Sequence, residues 1–291
     1  MANISVELVK KLRDRTGAGL MDCKNALAAV DGDLDKASDW LREKGLAKAA
    51  KKADRIAAEG LTVTKKCEKC GKVVVLEVNC ETDFVSKGEQ FHALVDEVAS
   101  VILKEEPKDV EEAKKLTESL FTEATIKMGE KFDLRRFEIL TPNAGEYVAT
   151  YIHMGGKIAV AVLLDKADEE LGEGIAMHIA ANNPQYLSKD QIPAEVFNHE
   201  KEIQLAAARE DPKLQGKPEA MLEKIIENKV NKYFSELVIT SQAYLLDDTK
   251  TVEQALKERG VKILKAVRYQ VGEGIEKRKD DFASEVMSQA K

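Results

Sequence analysis

The chain has 291 residues, of which 44% are apolar and 33% are charged, and its formal net charge at pH 7 is −7. A chain of this length can bury hydrophobic cores and is expected to form about two domains with attachments. The acidic balance argues against a general nucleic-acid-binding protein, which usually carries a basic excess. Four cysteines in a chain of this length do not indicate a disulfide scaffold.

The start of the chain is typical of a cytoplasmic protein. Residues 1–5 lead directly into an amphipathic pattern, so we expect no signal peptide. No stretch approaches the ~18 consecutive apolar residues that a membrane helix needs, so we expect no membrane contact.

Residues 1–45 predict three short helices. Ser5 is a candidate cap for the first helix, and the second covers residues 20–30. The third is predicted to end at Gly45, because glycine commonly follows the last turn of a helix. Three helices in so short a segment predict a small bundle. Residues 46–59 are Ala-rich and basic, which indicates a helical connector.

Residues 60–184 contain a weak internal repeat. The first copy has strand patterns at residues 61–64 and 73–78, and the second has them at residues 147–151 and 158–164. In both copies the hairpin is followed by an amphipathic helix pattern. A one-sided sheet needs a helix over it, so the repeat predicts an α+β fold with two similar subdomains.

Residues 73–85 are the most informative stretch of the chain. They begin with a β-branched apolar run, typical of a strand buried on both faces. Ser86 and Glu89 then have capping-box spacing, which predicts a helix start at Ser86. Phe84 therefore lies between strand and helix, where it could be buried while Asp83 caps the helix, or exposed as a contact. The pattern alone favours the buried alternative.

Further elements follow in both halves of the chain. Residues 110–127 predict a charged helix, and residues 134–139 predict a strand. Residues 189–237 predict two antiparallel helices that project from the core as a hairpin. Residues 261–271 predict a strand that completes a sheet, and residues 280–291 predict a short amphipathic helix.

Cys67 and Cys70 form a CxxC pair on the predicted turn of the first hairpin. A structural zinc site needs four ligands, and only Cys80, His92 or Cys23 could complete this one. A plain or oxidisable turn is therefore the favoured interpretation, and a zinc-dependent scaffold protein is the alternative.

The sequence lacks the patterns of an enzyme site. We find no nucleophile, base and orienting group in one pattern, and no GxxxxGK[ST] loop for nucleotide phosphates. We therefore expect a non-enzymatic protein without a cofactor or direct nucleotide binding. His178 lies within an apolar helix pattern, where a buried histidine is expected.

Three stretches resemble one protein family. They are LRDRTGAGLMDCKNAL at residues 12–27, NCETDFV at residues 79–85 and VGEGIEK at residues 271–277. Together they resemble bacterial elongation factor Ts, the guanine-nucleotide exchange factor for elongation factor Tu in translation elongation. The stretches occur in the family's order and extend over essentially the whole chain.

The resemblance implies a domain arrangement. It implies an N-terminal domain similar to ubiquitin-associated domains, a core of two subdomains, a coiled-coil insertion and a C-terminal module that docks on elongation factor Tu. The expected boundaries are 1–54 for the first domain, 55–143 for the first core subdomain, 144–186 with 238–272 for the second, 187–237 for the coiled-coil hairpin and 273–291 for the C-terminal module. A ubiquitin-type adaptor is a weaker alternative, since it leaves most of the chain unexplained.

The resemblance also implies a mechanism. Asp83 and Phe84 are expected to insert beside the magnesium site of elongation factor Tu and so release GDP, while Thr82 and Val85 hold the corner. The factor is expected to bind both the GDP-bound and the nucleotide-free partner. Further partner contacts implied by the family are Arg13, Leu20, Met21, Lys24, His153 and Gly155.

Overall fold

The computed structural model describes residues 4–212, 214 and 218–276. Its first part is a bundle of helices α1 (Val6–Thr16), α2 (Leu20–Ala29) and α3 (Leu34–Lys52). Ser5 caps α1, as predicted, by accepting a hydrogen bond from the backbone N–H of Leu8 at 3.2 Å. The three helices share one apolar cluster, so the predicted bundle is confirmed.

The prediction that the third helix ends at Gly45 is wrong. Helix α3 continues through Gly45 to Lys52 and packs against α6 (Val110–Met128). A Cβ atom at Gly45 would lie only 2.4 Å from Cδ1 of Ile126. The glycine therefore allows two helices to approach closely instead of ending one. The predicted helical connector is helical only as far as Lys52.

The first sheet has the antiparallel order β1 (Glu59–Lys66), β2 (Val73–Cys80), β3 (Asp133–Leu140). Every residue of the central strand β2 is buried, so the prediction from its apolar run is confirmed. Helices α5 (Glu89–Glu105) and α6 cover one face of this sheet and form an apolar cluster with it.

The second sheet has the antiparallel order β4 (Tyr147–His153), β5 (Ile158–Leu164), β8 (Ile263–Gln270). Helices α7 (Glu169–Asn182) and α10 (Val252–Arg259) pack against its outer face. The inner faces of the two sheets meet in a separate apolar cluster. Its buried members are Val73, Val75, Leu140, Val148, Ala159, Ala161 and Val267. The mixed α+β class is confirmed, but the sequence did not predict that the sheets pack on each other.

Two helices, α8 (Ala194–Glu210) and α9 (Glu219–Leu237), form the predicted helical hairpin. The rings of Phe197, near the start of α8, and Phe234, near the end of α9, stack with centroids 5.4 Å apart. The two helices are therefore antiparallel, as predicted.

The chain then forms a small hairpin of strands β6 (Ala243–Tyr244) and β7 (Asp247–Thr251), which the sequence did not predict. The predicted helix at residues 280–291 lies outside the described residues. Within the described part of the chain, no helix is both long and apolar enough to cross a membrane.

Candidate functional site

The chain leaves β2 through a one-turn helix, α4 (Asp83–Ser86). The predicted helix start at Ser86 is wrong, because Gly88 precedes the first residue of α5. Ser86 is buried, and its hydroxyl donates a hydrogen bond to the carbonyl oxygen of Asp83 at 3.0 Å. The side chain that caps α4 belongs to Thr82, whose hydroxyl oxygen accepts from the backbone N–H of Val85 at 3.4 Å.

The exposure of Phe84 decides between the two alternatives left open by the sequence. Its side chain is 85% exposed, so it is not part of this protein's own core. The next residue, Val85, packs against the apolar cluster of the first sheet. Helix α4 is thus attached to the core through Val85 and Ser86 while it holds Phe84 in solvent.

Asp83, the residue directly before Phe84, carries a carboxylate. It forms an ion pair with Lys87, one helical turn later, at 2.6 Å. The hydrogen bond from Lys87 holds the pKa of Asp83 below its ordinary value, and the charge of Lys157 adds a smaller contribution. Asp83 is therefore ionised near neutral pH, and α4 presents a negative charge next to an exposed apolar ring.

Two carboxylates hold the segment before α4 in place. Glu130 accepts hydrogen bonds from the backbone N–H groups of Glu81, at 3.0 Å, and of Thr82, at 3.1 Å. It also accepts from the hydroxyl of Thr82 at 2.5 Å. In return, Glu81 accepts from the backbone N–H of Lys131 at 2.7 Å and pairs with Arg55 at 3.0 Å. The sequence did not predict the roles of Glu81 and Glu130, because no local pattern links residues so far apart along the chain.

The turn between β4 and β5 packs on β1, the strand that α4 also contacts. Both the backbone N–H and the hydroxyl of Thr62, on β1, donate to the carbonyl oxygen of Gly156, at 2.7 and 2.9 Å. A Cβ atom at Gly156 would lie 2.8 Å from Cδ2 of Leu61, so this close contact requires glycine. Lys157 pairs with Glu59 of β1 at 3.0 Å and also influences the pKa of Asp83.

Of the predicted contact residues, His153 is the last residue of β4 and Gly155 lies in the turn. Gly155 is exposed, and His153 is half-buried, with its Nδ1 3.1 Å from the hydroxyl of Tyr151. Met154, between them, is 71% exposed. Met154 was not among the predicted contacts, although its place next to a Gly-Gly turn is a signal for an exposed side chain.

The other predicted contacts lie on the helical bundle. Arg13, Leu20, Met21 and Lys24 are all exposed, and Met21 is 65% exposed. The bundle contacts the core through the packing of α3 on α6. The structure therefore places these four residues on a different element from α4.

The described residues do not provide a complete set of zinc ligands around Cys67 and Cys70. Cys67 and Cys70 lie on the β1–β2 turn, whereas Cys23 and Cys80 are buried in other parts of the fold. Among the described residues there is no group of three or more His, Cys, Asp or Glu side chains that could hold a metal ion. His178 is fully buried, as its apolar surroundings predicted.

A family model and a known protein that are similar to this chain carry the same family description. Residues 81–273 match the family model described as Elongation factor TS. The chain is also 47% identical, over 292 aligned residues, to Elongation factor Ts of Pediococcus pentosaceus, and the alignment covers 98% of each chain. Both descriptions name an elongation factor, a protein of the translation cycle.

The chain belongs to the elongation factor Ts family. The resemblance that three short stretches indicated is confirmed.

Proposed function

We propose that this protein is a guanine-nucleotide exchange factor that promotes GDP release from elongation factor Tu. Membership of the elongation factor Ts family supports the partner and the step of translation. The observation that carries the proposal at the level of the site is the 85% exposure of Phe84 on a tightly anchored helix. The activity needs no covalent chemistry and, in this proposal, no cofactor or nucleotide bound to this chain.

Phe84 acts as an apolar wedge. Covering a phenyl side chain that is otherwise in water contributes roughly 1.5–3 kcal/mol, and a partner can supply that cover. Glu130 accepts hydrogen bonds from the backbone N–H groups of Glu81 and Thr82 and so fixes the backbone just before the wedge, so little conformational freedom is lost on binding. The wedge inserts between helices of the partner's nucleotide domain, beside its magnesium site.

Asp83 supplies the polar half of the contact. It leaves Lys87 and pairs with partner groups that the ring has displaced. Magnesium demands near-ideal octahedral coordination, so a small displacement of its surroundings weakens its binding. The phosphates of GDP then lose neutralising charge, and GDP dissociates faster. Thr82 and Val85 keep the pair in position, as cap and as core anchor.

The remaining predicted contacts tether the partner while the wedge acts. His153 and Gly155 lie at the turn that packs on β1, and the four bundle residues Arg13, Leu20, Met21 and Lys24 form a second contact. Two linked contacts raise the local concentration of each, so neither needs high affinity. The C-terminal module, residues 273–291, is proposed as a third.

Because binding is reciprocal, a factor that weakens GDP binding must itself bind the GDP-bound partner more weakly than the nucleotide-free partner. The protein therefore cycles between the two forms. The finer domain assignments belong to the same proposal: a ubiquitin-associated-like domain at 1–54, core subdomains at 55–143 and at 144–186 with 238–272, a coiled coil at 187–237, and action in the cytoplasm.

The test is stopped-flow release of a fluorescent GDP from elongation factor Tu, with and without this protein, in buffer that contains magnesium. We expect strong acceleration by the wild-type chain and almost none by the double variant Asp83→Ala, Phe84→Ala. Leu116→Ala is the matched control, because Leu116 is an exposed apolar residue on α6. Failure of the folded wild-type protein to accelerate release would refute the proposed function.

A further inference from the structure

The β1–β2 turn carries two cysteines that the proposed exchange function does not use. Cys67 is half-buried and Cys70 is exposed, whereas Cys23 and Cys80 are fully buried. The turn precedes β2 and α4 follows it, and β2 has eight residues. At ~3.3 Å per strand residue, roughly 25 Å separates the cysteine pair from α4.

Backbone hydrogen bonds close the turn that carries Cys67 and Cys70. The N–H of Cys67 donates to the carbonyl oxygen of Lys72 at 2.8 Å, and the N–H of Gly71 donates to the carbonyl oxygen of Cys67 at 2.9 Å. Gly71 has φ 71°, a left-handed conformation that closes the turn at no steric cost. Cys67 and Cys70 are therefore three residues apart within one tight turn, and interaction with the Cys70 side chain is the largest contribution that lowers the pKa of Cys67.

The surroundings of Cys67 favour a thiolate. Besides the Cys70 thiol, the backbone N–H groups of Cys70 and Lys69 donate to its sulfur, and these hydrogen bonds lower the pKa of Cys67. The buried cysteines differ: burial raises the pKa of Cys80 to about 12 and also raises that of Cys23. A soluble oxidant can therefore reach and react with the turn pair far more readily than with the other two thiols.

We propose that Cys67 and Cys70 form a redox-active dithiol that low-molecular-weight disulfides oxidise to an intramolecular disulfide. The Cys67 thiolate attacks one sulfur of the small disulfide, forms a mixed disulfide and releases one small thiolate. Cys70 then loses its proton and attacks the Cys67 sulfur, which expels the second small thiolate. The protein loses two hydrogen atoms, and the small disulfide is reduced to two thiols.

The experiment treats the reduced full-length protein with oxidised glutathione and follows it by intact mass and peptide mapping. We expect the wild-type peptide with Cys67 and Cys70 to lose two hydrogen atoms without a lasting adduct. The Cys70→Ser variant should retain one glutathione on Cys67, because no resolving thiol is left. The Cys67→Ser variant should react more slowly, on the order of 10-fold, because it has lost the thiol whose pKa the turn lowers.

Cys23 and Cys80 are internal controls and should stay unmodified in the folded protein. A stable glutathione adduct on the wild-type pair, a dimer linked through Cys67 or Cys70, or no reaction would overturn the proposal. Equal modification of the buried and the turn cysteines would overturn it as well. The proposal does not rest on the exchange function, since none of these measurements involves elongation factor Tu.

Discussion

An exposed phenyl ring such as that of Phe84 is stabilised only when a partner covers it, and the proposed exchange mechanism uses that stabilisation to displace partner groups. Truncation by Phe84→Ala should therefore reduce exchange more than binding. We expect the acceleration of GDP release to fall at least ~10-fold further than the affinity for nucleotide-free elongation factor Tu, a difference of about 1.4 kcal/mol. Stopped-flow release and calorimetric titration give the two quantities.

The conservative change Phe84→Leu is the control for this prediction, since it keeps an apolar side chain at the same position. It should retain more of the exchange activity than the alanine variant. Equal losses of binding and exchange in Phe84→Ala would show that the ring only adds affinity and does not act as a wedge.

Among the structural elements, α4 depends on a carboxylate from another part of the chain. Glu130 accepts two backbone hydrogen bonds and one hydroxyl hydrogen bond from the segment before α4. The Glu130→Ala variant should loosen this segment by about 1 kcal/mol, a value typical of a lost hydrogen-bond partner at a partly exposed site. We expect roughly fivefold faster amide hydrogen exchange at residues 81–85. The variant should also accelerate GDP release from elongation factor Tu less than the wild type does.

Glu123→Ala is the matched control for Glu130→Ala. Glu123 is an exposed carboxylate on α6 that pairs with Lys127 at 3.5 Å, so its removal should not affect residues 81–85. Unchanged hydrogen exchange in Glu130→Ala would mean that the backbone of α4 needs no support from Glu130.

His178 links α7 to the segment around β6. Its Nε2 lies 2.7 Å from Oε1 of Gln242, and its Nδ1 accepts from the backbone N–H of Leu245 at 3.2 Å. Both bonds fit the neutral ring with its proton on Nε2, and burial lowers the pKa of His178 from the ordinary value of 6.5. At pH values between the pKa of His178 in the folded protein and its pKa in the unfolded chain, the unfolded chain binds more protons than the folded protein.

The stability of the protein should therefore fall as pH decreases below 6.5 and level off once the folded pKa has been passed. Urea denaturation at a series of pH values between about 5 and 8 measures this dependence. In His178→Gln the amide side chain cannot take up a proton, so we expect a weaker pH dependence than in the wild type. An identical dependence in both proteins would contradict the assignment to His178.

The sequence predicted most elements, because their apolar periodicity is local. The apolar run at the start of β2 and the apolar face of α5 are examples. What it could not predict depends on contacts between distant segments. Gly45 looks like a helix end until its contact with Ile126 is known, and Ser86 looks like a cap until Thr82 is seen in that role. Phe84 itself required the family resemblance, since the pattern alone favoured a buried ring.

For the whole molecule, the junction of the two sheets includes a buried charge. Glu77, on β2 of the first sheet, is fully buried and pairs with Arg135 at 3.1 Å and with Arg136 at 2.7 Å. It also accepts a hydrogen bond at 2.8 Å from the backbone N–H of Gly272, just after the last strand of the second sheet. Arg136 extends the link by donating to the carbonyl oxygen of Gln270 at 3.0 Å.

Glu77→Gln should therefore destabilise the entire core. The change leaves two arginines without their shared carboxylate, and breaking a buried pair typically costs ~3–5 kcal/mol. We expect the lower end, about 3 kcal/mol, because both arginines remain about one quarter exposed. Urea denaturation measures the loss in free energy of unfolding.

The control is Glu138→Gln. It also breaks an ion pair between the two sheets, the pair of Glu138 with Lys265, but this pair is exposed. It should cost under ~1 kcal/mol, and equal costs for the two variants would show that Glu77 does not hold the sheets together.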